Sequence, residues 1–346
     1  MLAILLKPRL INAALLLVAL CLGACSERPN KPDLLTIQGR TMGTNFLVKI
    51  VEDRNVRVQE RLAIEQQINR LLEEVNQQMS TYLPDSEISL FNQYRGTDWF
   101  QISRDFAIVL QRALEISHLS NGSFDITVGP LVNLWGFGPE KRDEVVPSAA
   151  EIEERRPSVG YKKLTVTLFP PAIMKSLPEL YCDLSAIAKG FGVDKVSDYL
   201  EGLGVKNYMV EIGGEVRVKG KSPTGVWRIG VERPDDPTGL QAVIEISDNA
   251  MATSGDYFNY FEKDGVRYSH TIDPITGRPI IHKLASVTII HPLCTMADGL
   301  ATAINVMGPD AGYEFALQQN LPVFMIVRDE DGFVEKMTPQ FKKYFN

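Results

Sequence analysis

Hydrophobic positions along the chain follow first a helical and then a strand-like period. Within Val58 to Met79, Leu62, Ile68, Leu71, Leu72, Val75 and Met79 recur at helical spacing, which predicts an amphipathic helix with one face toward a core. Ser103 precedes a second such run, with Phe106, Leu110, Ala113, Leu114 and Ser117 close to one face as far as Leu119, so its hydroxyl is placed to cap the helix. Asn45 to Val51 and Lys163 to Phe169 read as strands, and Ala186 to Leu200 returns to helical spacing before Gly202 and Gly204 stop it. From Asn207 onward the segments shorten. Tyr208–Ile212, Glu215–Lys219, Trp227–Glu232, Ala242–Ile246, Arg267–Ile272 and Ser286–Ile290 follow one another as strands. Helices around Met296–Met307 and Pro309–Gln319 then precede an apolar strand, Val323–Val327. Strands in succession with amphipathic helices around them predict a mixed α/β (α+β) fold with a largely antiparallel sheet.

The first 25 residues follow neither period. Lys7 and Arg9 precede an apolar stretch from Ile11 to Leu22, and then comes Leu22-Gly23-Ala24-Cys25. That stretch is too short to span a bilayer, which takes roughly 20 apolar residues, and it reads as a secretory signal. The small residues before Cys25 resemble a bacterial lipobox. This implies cleavage after Ala24 and acylation of Cys25 (palmitate or a similar chain), against the plainer reading of an ordinary signal with an incidental cysteine. On this reading 1–24 is the signal peptide, 25–35 a tether containing Pro29 and Pro32, and 36–346 one domain. The protein is then expected in the cell envelope, lipid-anchored in the inner or the outer membrane and facing the periplasm.

Composition adds exclusions. Hydrophobic residues at 45% and charged residues at 23% suit a folded globular chain rather than a disordered one. Removing residues 1–24 takes away Lys7 and Arg9 and no acid, which deepens the net charge from −7 to −9 and argues against non-specific nucleic-acid binding. Four histidines and four cysteines are too few and too scattered for a zinc cluster. No Gly-x-Ser-x-Gly elbow and no Gly-x-Gly-x-x-Gly after an early strand is present. Cys182 and Cys294 read as buried free thiols, with a pairing open if both adjoin one site.

Several segments offer chemistry, each with a structural reading beside it. Asp298 and Thr302 lie four apart on one helix face and could present a carboxylate and a hydroxyl to a hard cation, or simply face solvent. In Asp183-Leu184-Ser185-Ala186-Ile187-Ala188-Lys189-Gly190, a helix N-terminus with a nearby lysine suits a phosphate, while an N-cap with an exposed lysine explains the residues equally well. Gly213-Gly214 permits close backbone approach to a ligand or a hairpin turn. His270 ends a strand before Asp273-Pro274-Ile275-Thr276-Gly277 and is either a general base or a structural histidine. Met42 and Tyr82 suit an aromatic ring ligand, by sulfur contact and by stacking.

Taken in order, these pieces resemble the ApbE family of FAD:protein FMN transferases. The resemblance runs through T-M-G-T at 41–44, Y-x-P-x-S-E at 82–87, F-D-I-T at 124–127, W-G-F at 135–137 and D-L-S-A-I-A-K-G at 183–190. It continues with G-G at 213–214, S-G-D-Y at 254–257, H-T-I-D-P-I-T-G at 270–277 and A-D-G-L-A-T-A at 297–303. It implies a T-fold-like domain and FAD held near Met42, Tyr82, Ser123, Phe124, Asp125, Asp183, Lys189, Gly213, Gly214 and Ile272. It further implies Mg²⁺ on Asp298, Thr302 and the Ala186 carbonyl, with His270 as the base. Some members carry a second acid where this chain has Ala301, which removes one carboxylate from the cation site. The activity implied is transfer of FMN from FAD to a threonine hydroxyl of an acceptor flavoprotein, with AMP released. Implied acceptors are periplasm-facing subunits of Nqr- or Rnf-type redox complexes. FAD pyrophosphatase activity, or a non-catalytic flavin-binding lipoprotein, are the alternatives.

Overall fold

The computed structural model describes residues 33–52, 58–140, 146–256 and 259–345. The signal segment, Cys25, most of the tether and Tyr257 lie outside the described residues.

Strands β1 (Asp33–Thr41) and β2 (Thr44–Glu52) form a hairpin, followed by α1 (Val58–Met79), α2 (Glu87–Gln93), β3 (Phe100–Gln101), α3 (Arg104–Leu119), α4 (Gly129–Leu134) and α5 (Ala149–Arg155). Then come β4 (Leu164–Leu168), β5 (Pro171–Lys175), α6 (Ala188–Gly202), β6 (Tyr208–Ile212), β7 (Glu215–Lys219), β8 (Trp227–Arg233), β9 (Asp236–Ile246) and β10 (Asn249–Gly255). The remainder is β11 (Tyr260–Lys263), β12 (Val266–Ser269), β13 (Ile272–Asp273), β14 (Arg278–Pro279), β15 (Leu284–His291), α7 (Cys294–Met307), α8 (Ala311–Gln318), β16 (Val323–Asp329) and β17 (Gly332–Met337). Among the described residues no helix is long and apolar enough to cross a membrane.

One eight-stranded antiparallel sheet, in the order β1-β2-β6-β7-β10-β15-β16-β17, organises the molecule. Both faces are covered, so its strands carry apolar residues in both directions. On one face Phe46, Val48, Ile50, Tyr208, Val210 and Ile212 meet Ile68 and Leu72 of α1 and Val193, Val196 and Leu200 of α6. On the other, Met209, Val216, Val218, Met251, Ile290 and Phe324 are covered by the β8–β9 ribbon through Trp227, Ile229 and Ile244, and by Phe341. A third cluster packs α3 and α7 against β15 and β16, with Phe106, Leu110, Ile116, Ala297 and Leu300 fully or almost fully buried.

Two differences from the sequence reading bear on the site. The chain enters the sheet at Asp33, inside the stretch assigned to the tether, so Asn45–Val51 lies in the second strand and Thr41-Met42-Gly43-Thr44 closes the hairpin before it. The strand expected over Arg267–Ile272 is interrupted: β12 ends at Ser269 and β13 begins at Ile272, which leaves His270 outside both ladders.

Candidate active site

Two two-residue turns meet at one end of the large sheet. Met42 and Gly43 have φ of 49° and 74°, and Gly213 and Gly214 have φ of 57° and 98°, so both hairpins close through type I′ turns. The second is therefore a turn, as one of the two readings had it, and no atom lies near where a Gly214 side chain would begin. The first turns of α6 pass over these ends, and a Cβ on Gly192 would lie 2.9 Å from Met42 Cε and 3.1 Å from Ile212 Cδ1. Met42 thus packs its thioether between the two main clusters at the sheet's rim.

Helices α6 and α7 approach closely at Gly190. Its amide, which would otherwise bond back toward the Ala186 carbonyl four residues earlier, donates to Asp298 Oδ2 at 2.9 Å. Among the described residues no backbone amide donates to the Ala186 carbonyl. Asp298 is buried, and Thr302 stands half-buried one turn further along α7. A buried carboxylate, a hydroxyl and an unclaimed carbonyl are hard oxygen donors, the types that a cation such as Mg²⁺ takes. Ala301 beside them is buried and contributes no ligand atom. Burial pushes the Asp298 carboxyl up, opposed by Lys189 and by the Gly190 amide.

Lys189 Nζ pairs with Glu215 Oε1 at 2.5 Å, and Glu215 is 2% exposed with Oε2 lacking a hydrogen-bond partner. Burial works against the ammonium, but Glu215 and Asp298 outweigh it and hold the Lys189 pKa well above its ordinary value. Sequence reasoning missed Glu215. The alternation Glu215, Arg217, Lys219 along β7 reads as a solvent-facing row. That row instead lies under α6, where Arg217 bonds Asp194, Asp198 and Glu201, and Lys219 bonds Glu201. The matching charges along α6 were the available signal.

The loop Tyr181–Ala186 leads into α6 and is held at Cys182 by Asn92, whose side chain both accepts from the Cys182 amide at 2.7 Å and donates to its carbonyl at 2.8 Å. Asp183 Oδ1 accepts from the Ser185 amide and hydroxyl. Exposed Tyr82 lies within electrostatic reach of Asp183; partial burial and that carboxylate push its phenol up. Tyr181, not anticipated, is pushed up to about 12 by burial and then by the same carboxylate. Ser123 is half-buried at the end of the preceding turn, while Phe124 is a core residue beside Gly299 of α7. Asp125 accepts from the Thr127 amide and hydroxyl and from the Tyr161 amide at 2.6–2.8 Å, so its carboxylate fastens the loop.

His270 stands at the end of an aromatic stack. Trp135 stacks on Tyr268, Tyr268 on Phe261 and Phe261 on Phe137, whose ring meets the imidazole edge-on at 6.4 Å. Nδ1 lies 3.0 Å from the Asn259 carbonyl, which assigns the proton to Nδ1 and leaves the Nε2 lone pair available. Burial lowers the imidazole pKa, and Lys189 is near enough to lower it further. Ile272 is buried in the cluster beneath this lobe with Trp135 and Leu131. Cys182 and Cys294 are both free and buried, in different clusters, with thiols pushed up by burial.

The model of the ApbE family matches residues 42–325. The chain belongs to the ApbE family. It is 48% identical to the FAD:protein FMN transferase of Vibrio cholerae serotype O1 over 336 residues, covering 96% of this chain and 97% of the relative. Identity to the enzyme of the same name from Haemophilus influenzae is 45%, over 94% and 95% of the two chains. The solved structure of the flavin transferase ApbE from Vibrio cholerae superposes with a TM-score of 0.84 at 47% identity, over 91% of this chain and all of the other. The apo form of Pseudomonas stutzeri flavinyl transferase ApbE gives 0.83 at 38% identity, over 91% and 97%. The mixed α/β fold with its large antiparallel sheet is thus the fold of ApbE flavin transferases.

Proposed function

We propose that this chain is an FAD:protein FMN transferase, which moves FMN from FAD onto a threonine hydroxyl of an acceptor flavoprotein. The observation that carries the reading is the meeting of α6 and α7 through the Gly190 amide and Asp298, with the Lys189–Glu215 pair in electrostatic reach of Asp298 and His270 in reach of Lys189. Mg²⁺ on the three oxygen donors would supply Lewis-acid charge neutralisation for the diphosphate. Lys189 adds a fixed positive charge on the same group, and its pairing with Glu215 holds the ammonium in place. His270 Nε2 takes the threonine proton as the hydroxyl oxygen bonds to the FMN phosphorus. The bond from that phosphorus to the bridging oxygen then breaks, and AMP leaves with the electron pair. Tyr82 offers an exposed ring to the flavin, while Met42 packs its thioether inward beneath α6.

Acylation of Cys25 would tether the enzyme beside membrane-bound acceptors, with subunits of Nqr- or Rnf-type complexes as candidates. The test is to incubate the protein with FAD, Mg²⁺ and a threonine-bearing acceptor domain and to weigh the acceptor. A gain of one FMN, abolished by chelation, supports transfer. Free FMN and AMP with an unmodified acceptor would replace it by FAD hydrolysis, and intact FAD would replace it by binding alone.

A further inference from the structure

Helix α7 begins without a side-chain cap of its own: its N-cap residue, Leu293, has no polar side chain to offer. The missing acceptor comes from α6. Asp194 Oδ1 accepts from the Cys294 amide at 3.0 Å, and Oδ2 accepts from the Thr295 amide at 2.9 Å and the Thr295 hydroxyl at 2.6 Å. One turn earlier on α6 the exchange runs the other way, with the Gly190 amide donating to Asp298 Oδ2. Each helix therefore lends a carboxylate to the first turn of the other. Arg217 Nη1, 2.9 Å from Asp194 Oδ1, holds that carboxylate in place from β7. Asp194 is buried, and its two oxygens take four donors.

We propose that Asp194 is a positioning residue for the cation site. It fixes the height and rotation of α7 against α6, and thereby the direction in which Asp298 and Thr302 present oxygen toward the Ala186 carbonyl. The inference rests on the cation assignment made above and goes beyond it, since Asp194 itself donates no ligand atom. Outer partners that orient metal ligands typically cost about 10–100-fold in metal affinity when removed.

The experiment measures Mn²⁺ binding, as a stand-in for Mg²⁺, by calorimetry and electron paramagnetic resonance without FAD, at a temperature where circular dichroism shows each protein folded. Wild type and Asp298→Ala come first. Mn²⁺ bound by wild type and not by Asp298→Ala supports the cation assignment, and equal binding by both overturns that assignment and this inference with it. With the assignment supported, Asp194→Asn is expected to weaken Mn²⁺ at least about tenfold while remaining folded. Thr295→Ala, which removes one of the bonds, is expected to weaken it less. Asp198→Asn shares Arg217 but has an exposed side chain and, among the described residues, no hydrogen bond to α7, and should bind as wild type. A purely structural Asp194 would lower the melting temperature and leave the Kd of the folded protein unchanged. Wild-type Mn²⁺ affinity in folded Asp194→Asn overturns the proposal; if that variant does not fold, wild-type affinity in Thr295→Ala does so.

Discussion

Replacing Gly190 by alanine tests the junction of α6 and α7 most directly. The backbone there needs no left-handed conformation, so the constraint is space. The new Cβ would lie 2.5 Å from the Cys294 carbonyl oxygen and 2.8 Å from Asp298 Cβ. The first neighbour is backbone, and the second belongs to a side chain at its root, so neither moves without α7. Overpacking of this kind costs about 1–3 kcal/mol, and the better helix propensity of alanine offsets about 1 kcal/mol. A net loss of up to about 2 kcal/mol in urea denaturation is expected from that difference. The effect on chemistry should be larger, because a displacement of about 1 Å at a positioned group can cost about 100-fold in rate. AMP release from FAD, followed by chromatography across a Mg²⁺ titration, should show a higher half-saturating Mg²⁺ and a lower plateau. Wild-type stability together with a Mg²⁺ half-saturation within about twofold of wild type would refute the contact argument, since overpacking of this kind carries a cost.

Other consequences can be measured separately. His270→Ala should retain FAD binding and lose flavinylation of the acceptor, and normal transfer would reject the base assignment. Because burial lowers the His270 pKa, Nε2 stays unprotonated down to pH values below the ordinary imidazole pKa. Wild-type kcat/KM should therefore lose rate on the acid side only below about 6.5; an acid limb centred above that value would contradict the lowered pKa. Glu215→Gln removes the leading contribution that raises the Lys189 pKa, so the variant should lose rate at lower pH on the alkaline side than wild type. An unchanged pH–rate profile would detach Lys189 from the reaction. Asp125→Ala leaves the Thr127 and Tyr161 amides without their acceptor, at about 1–3 kcal/mol for each buried group. A loss under about 1 kcal/mol in urea would show that water replaces the carboxylate.

Periodicity read the long helices well because burial is one-sided there, and the Gly213-Gly214 pair marked where two short strands meet. α1 spans Val58–Met79 as expected, Ser103 caps α3 through the Phe106 amide, and β6 and β7 occupy the expected residues. β10 escaped because Asn249-Ala250-Met251-Ala252-Thr253-Ser254-Gly255 has the small residues of a loop; those alanines are selected by the close seating of α7, a tertiary cause with no local signature. β1 escaped behind the prolines of the preceding segment. In the site, the i, i+4 pair Asp298/Thr302 was legible because one helix carries both. Asp194 and Glu215 were not, since each acts on a partner from another element: Asp194 on Cys294 and Thr295, Glu215 on Lys189.

The position of β10 also sets an order in which the molecule comes apart. It is an interior strand, paired with β7 on one side and β15 on the other, and Ala250, Met251 and Ala252 are almost entirely shielded. Interior strands of this kind open only with the whole domain, whereas short peripheral hairpins open at lower free energy. The floor beneath α7 therefore belongs to the slowest-exchanging part of the protein, and the β11–β12 hairpin that leads into His270 to a faster one. Mild denaturant should loosen the His270 end of the candidate site while Asp298 and Thr302 stay held on α7, so hydrogen exchange and acceptor labelling would report two separate thresholds in one folded chain.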